Sequence, residues 1–150
     1  MVTEVLFYHL ERQSLEQTLP GLLQRCLERG WRAAVQVGGE DRLRDLDSHL
    51  WTYNDAAFLP HGTAADGHEK DQPVFLTTNT DNPNGASVRF LVDGATTDSF
   101  EGYERIVFLF DGADQEATAT AREAWKAAVA AGTEATYWRQ DERGKWGKQT

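Results

Sequence analysis

The run Arg105-Ile106-Val107-Phe108-Leu109-Phe110 constrains this chain more than any other stretch. Consecutive apolar residues rich in β-branched and aromatic side chains favour a strand. With no polar alternation, such a strand needs cover on both faces. That is the pattern of a central strand in an open α/β sheet with helices on both faces. Further strands are expected at Val5–Tyr8, Trp31–Val37, Val74–Thr78, Ser87–Val92 and Thr133–Trp138.

Helical stripes fall between them. Leu15, Leu19, Leu22, Leu23, Cys26 and Leu27 share one helical face; Ser14 is a ready cap and Gly30 a ready stop. Pro20 predicts either a bend or a helix that starts near Thr18. Glu40 to Trp51 and Asp111 to Ala131 are the other two helices, the last ended by Gly132. Asn84-Gly85, between two strands, predicts a hairpin turn, and Asp141–Gly144 predicts a second, terminal one through Lys145 and Trp146. Residues 52–73 show no sustained periodicity and read as a long surface connection. The expected fold over 1–150 is a single α/β domain: an open, mostly parallel sheet with helices on both faces and an inserted β-hairpin, Rossmann-like but without a phosphate loop.

The net charge is −9 and uneven. Residues 1–121 carry 9 basic and 20 acidic side chains, whereas 122–150 carry 6 basic and 4 acidic. Direct nucleic-acid binding is not expected of such a chain, and an anionic partner is best sought in the C-terminal fifth. Cys26 is the lone cysteine, so no internal disulfide forms. No apolar run is long enough for a membrane helix, and the N-terminus lacks a basic, then apolar, leader. A cytoplasmic location without membrane association is expected.

Tests for chemistry are mostly negative. The turn His9–Gln13 after the first strand has no glycine, and Glu11 there opposes a pyrophosphate. Glu40 and Asp41 do the same after Gly38-Gly39. There is no nucleophile elbow, and Cys26 falls on an apolar stripe. No cofactor is implied. The remaining enzymatic reading is a metal-dependent hydrolase using His61, Asp66, His68, Glu69 and Asp71, although their spacing matches no helical ligand motif.

Two stretches read as binding surfaces. Arg122, Trp125, Lys126 and Val129 share a face of the last helix, while Ala117, Ala121, Ala124 and Ala128 form a separate small-residue stripe suited to packing on the sheet. A ring between two cations suits an acidic peptide ending in a hydrophobic residue and a carboxylate. The alternative is a core Trp125 with Arg122 and Lys126 snorkelling round it. Trp51, Tyr53, Phe58, Leu59 and Pro60 concentrate large apolar groups at a helix end and loop start, either as interface anchors or as a seal on the sheet edge.

Taken in order, Phe7-Tyr8, Arg29-Gly30-Trp31-Arg32, Leu50-Trp51, Phe58-Leu59-Pro60-His61-Gly62, Gln72-Pro73-Val74, Asn82-Pro83-Asn84-Gly85, Tyr103-Glu104-Arg105, Ala121–Lys126 and Thr136-Tyr137-Trp138 resemble the chi subunit of bacterial DNA polymerase III holoenzyme, in its alphaproteobacterial form. The resemblance implies a non-catalytic adaptor in DNA replication. It would hold the acidic C-terminal tail of single-stranded-DNA-binding protein, ending Asp-Asp-Ile-Pro-Phe, and join it to the clamp loader through the psi subunit or another clamp-loader component. A helicase using the same surface is a further candidate partner. By the same resemblance Arg122, Trp125 and Lys126 hold the tail, with Trp125 where better-known members have tyrosine and Val129 where some have another base. Trp51, Phe58, Leu59 and Pro60 belong to the psi-facing surface.

Overall fold

The computed structural model describes residues 3–11, 13–52, 61–64, 67–80, 82–97, 99–100, 102–143 and 145–149, with backbone alone for Trp51 and Thr52. Eight strands form one sheet: β1 (Glu4–Leu10), β2 (Ala33–Val37), β3 (Gly62–Thr63), β4 (Val74–Thr77), β5 (Val88–Val92), β6 (Arg105–Asp111), β7 (Glu134–Gln140) and β8 (Trp146–Lys148). Their order is β3-β4-β2-β5-β6-β1-β7-β8. Every pairing is parallel except β7 with β8. Among the described residues three helices cover the sheet: α1 (Leu15–Glu28), α2 (Glu40–Thr52) and α3 (Gln115–Ala130).

Alternation along the central strands explains the two-sided cover. On β1, Leu6 and Leu10 join Leu15, Leu19 and Leu23 of α1 and Leu43, Leu46 and Leu50 of α2 in one core. Val5 and Phe7, pointing the other way, join Ile106, Phe108 and Phe110 of β6 and Ala121 and Ala128 of α3 in a second. Helices therefore lie on both faces, as expected. Each buried large apolar side chain contributes roughly 2 kcal/mol. The strand at Arg105–Asp111 sits between β5 and β1 with Ile106–Phe110 buried, the position its composition predicts.

The Asn84-Gly85 hairpin does not form. β4 and β5 are not neighbours: β2 lies between them and pairs in parallel with both. β2 is buried along its whole length and needs a strand on each side, so it separates the two segments. Asn-Gly supplies the positive φ of a tight turn, 65° at Gly85, without specifying strand pairing. The buried Asn84 amide donates to the carbonyls of Ala33 and Gln72 at 3.1 and 2.9 Å, tying the turn to the start of β2. The terminal hairpin does form, as β7 and β8.

Ser14 caps α1 in a reciprocal capping box with Gln17. The helix starts at Leu15 and runs through Pro20 instead of beginning near Thr18. Pro20 has no N–H for the Glu16 carbonyl. His49 of α2 donates to that oxygen from Nε2 at 2.7 Å and replaces the missing bond. The connection after α2 contains the two-residue β3 and a short 3-10 turn at Glu69–Asp71, neither of which the periodicity reveals. Among the described residues no helix is long and apolar enough to cross a membrane.

Candidate functional site

The Asp114 side chain caps α3 by accepting from the Ala117 N–H, and Gly132 follows the helix with φ 80°. Ala121 and Ala128 are buried and Ala117 and Ala124 partly so, which places the small-residue stripe on the sheet as expected. Beneath it, β6, β1 and β7 set Phe108, Phe7 and Tyr137 side by side in register. Trp125 meets this row from above, edge-on to Phe7 at 5.4 Å and to Tyr137 at 6.3 Å. It is half-buried, between the two alternatives of a core side chain and an open platform.

Arg122 and Lys126 flank it and are exposed, and Val129, 54% exposed, continues the same face. Lys126 Nζ lies 3.5 Å from Glu123 Oε1, with both side chains about three-quarters exposed. A pair so solvated is weak and exchanges readily for another carboxylate. The structure thus brings Arg122, Trp125, Lys126 and Val129 onto one face. Trp51 belongs to α2, but its side chain and all of Phe58, Leu59 and Pro60 lie outside the described residues.

A polar cluster that the sequence did not reveal borders Trp125. The Tyr137 hydroxyl hydrogen-bonds His9 Nδ1. His9 Nε2 lies 3.1 Å from Glu11 Oε1, and Glu11 also pairs with Arg139. A neutral imidazole with its proton on Nε2 satisfies both partners, the phenol donating to Nδ1. Burial pushes His9 below its ordinary value and Arg139 adds to that, against Glu11 and Asp111. Burial raises the Tyr137 phenol, with Arg139 and Arg122 opposing. A Cβ on Gly112 would come within 1.9 Å of His9 Nε2, so the close approach requires glycine. The available signal was a histidine at the C-terminal end of a buried parallel strand, where α/β domains place functional groups.

At those same strand ends, α1 leaves β1 on one face and α3 follows β6 on the other. The crevice between them holds about 870 Å³. Nucleotides occupy this position in many doubly wound domains. Among the described residues six carboxylates line it, Glu11, Glu16, Asp93 and Asp114 among them, against one arginine, Arg42. Arg42 is already engaged by Glu16 at 2.6 Å and Asp93 at 3.2 Å. The negative charge of the crevice is hostile to a phosphate.

Among the described residues the candidate metal loop does not converge. His61 is buried and turns to Asp47 of α2, its Nε2 donating to the Asp47 carbonyl at 3.2 Å and lying 3.1 Å from Oδ1. Asp66 lies outside the described residues. Among the described residues no group of three or more His, Cys, Asp or Glu side chains is arranged to hold a metal ion.

Sheet order and two-sided helical cover together define a doubly wound α/β domain, with a cationic-aromatic face exposed on its last helix. The chain belongs to the DNA polymerase III chi subunit family, a family of accessory replication subunits: the family model described as "DNA polymerase III chi subunit, HolC" matches residues 2–136. It is similar to the "Probable DNA polymerase III subunit chi" of Rickettsia prowazekii (strain Madrid E), 27% identical over 85 residues, 57% of this chain and 52% of that protein. The matched region thus spans about half the length of that relative.

Proposed function

We propose that this protein is a non-catalytic adaptor of the replication machinery whose α3 face holds the acidic C-terminal tail of single-stranded-DNA-binding protein. The observation that carries this reading is the placement of exposed Arg122 and Lys126 on the same face of α3 as the half-buried Trp125, on a chain of net charge −9. The indole and Val129 offer apolar surface to the terminal Phe and Ile of the tail. The two cations attract its aspartates and terminal carboxylate. Surface pairs of this kind are individually worth about 1 kcal/mol or less, so affinity is micromolar, about −8 kcal/mol, and falls with salt. The second surface, Trp51 with Phe58, Leu59 and Pro60, takes psi or another clamp-loader component, which links the tail to the clamp loader in the cytoplasm.

Fluorescence anisotropy of a labelled peptide ending Asp-Asp-Ile-Pro-Phe tests the site. Wild-type protein binds in a salt-sensitive manner, and Arg122→Ala plus Lys126→Ala weakens binding by about tenfold or more. Wild-type affinity indifferent to salt, or a double variant that binds equally well, sinks the assignment.

A further inference from the structure

Trp31 lies on the opposite face of the sheet from Trp125, packed against the core shared by α1 and α2. Its position is set by the end of α1. Gly30 takes φ 78°, the Gly30 N–H donates to Leu27 O at 3.0 Å and the Trp31 N–H to Cys26 O at 2.9 Å. These two bonds make a Schellman motif, with Trp31 at the position that packs back on Cys26. The guanidinium carbons of Arg29 and Arg105 each lie 5.2 Å from the indole centroid. Arg25, one helical turn before Arg29, lines the same cavity of about 80 Å³. Leu6, Leu22, Phe90 and Val107 form its apolar wall.

Three like charges converge here on a chain that is otherwise strongly acidic. Glu4 lies 3.5 Å from Arg105 and is itself nearly half exposed, so it leaves most of the cationic charge open to solvent. The cavity is far below the roughly 300–1,000 Å³ of a cofactor site and on the scale of one side chain. An inorganic anion uses the guanidinium groups but not the apolar wall. A long polyanion meets the negative remainder of the surface.

We propose that the Trp31 cavity is a second docking site, independent of the α3 face, for an acidic segment of a partner protein. One aliphatic side chain of that segment enters the cavity while neighbouring carboxylates reach Arg25, Arg29 and Arg105. The segment is internal rather than a chain end, because three separate cations, Arg29 and Arg105 over the indole and Arg25 in the same cavity lining, call for several side-chain carboxylates around the buried residue rather than one terminal carboxylate. Seating Trp31 against the core, with Arg29 and Arg105 over its ring before binding, limits the ordering cost.

The probe is a labelled, C-terminally amidated peptide Asp-Glu-Leu-Asp-Glu, titrated by anisotropy into the full chain. Wild type binds it, Arg25→Ala plus Arg29→Ala weakens binding by about tenfold, and Arg122→Ala plus Lys126→Ala leaves it unchanged. Replacing the peptide leucine by glycine weakens binding roughly fivefold, because the cavity loses its occupant. In a two-dimensional NMR titration the peptide shifts the Trp31 indole N–H, assigned through Trp31→Phe. No saturable binding by wild type at about 1 mM overturns the proposal. So does equal binding of the glycine peptide, or loss only in the α3 variant. Oligothymidylate that displaces the peptide and depends on Arg25 and Arg29 reassigns the patch to nucleic acid and overturns it as well.

Discussion

Trp125 and Phe7 meet edge to face at 5.4 Å with their planes 63° apart, and Phe7 in turn lies flat on Phe108 at 4.7 Å. One edge of the indole is thus part of the core while the rest reaches the face that carries Arg122 and Lys126. Support from a fully buried ring keeps the platform from collapsing when no partner is present. Trp125→Ala is expected to cost about 2 kcal/mol in urea unfolding, below the full core value because the side chain is only partly buried. It also abolishes tail binding. Trp125→Tyr retains the edge contact and most of the affinity. An alanine variant with unchanged stability and affinity means that neither contact matters.

Glu123 holds Lys126 in the free protein at 3.5 Å, one helical turn back. A tail carboxylate must displace it or share the ammonium. Glu123→Gln removes that competitor and one negative charge from the face. Tail affinity rises by about twofold at low salt, and the gain shrinks as salt screens the face. Isothermal titration at two ionic strengths reads both effects; weaker binding by the variant contradicts the competition.

His9 couples stability to pH. Burial holds its imidazole below the ordinary value near 6.5. The unfolded chain therefore takes up a proton at higher pH than the folded one. The stabilisation is complete above the unfolded value and is lost as pH falls through about 6.5 toward the folded value. His9→Gln flattens the stability profile between about pH 7.5 and 5.5, measured by denaturant midpoints. An unchanged slope in the variant removes His9 as the source of the pH dependence.

The layers of this fold were legible because periodicity is local. The Leu15–Leu23 stripe, the alanine stripe of α3 and the run Ile106–Phe110 each declare a face without reference to the rest of the chain. Strand order was not legible. Nothing near Asn84 records that β2 passes between β4 and β5, and the turn residues report only a positive φ. The face of Arg122, Trp125 and Lys126 was readable from helical spacing. Tyr137 below it, the His9 bond and the stacking of Arg29 and Arg105 on Trp31 depend on strands distant in sequence, so no spacing rule reaches them.

Pro20 and His49 are linked through one oxygen. The Glu16 carbonyl loses its helical donor to proline and gains the His49 Nε2–H at 2.7 Å. His49→Ala leaves that oxygen without its donor in a part-buried position and costs about 1–2 kcal/mol. In a Pro20→Ala background the restored amide at position 20 can donate instead, so His49→Ala costs measurably less there. A double-mutant cycle on urea midpoints gives a coupling of about 1 kcal/mol between two residues that need not touch. Equal costs of His49→Ala in both backgrounds rule out the substitution of one donor for the other and leave Pro20 a packing residue only.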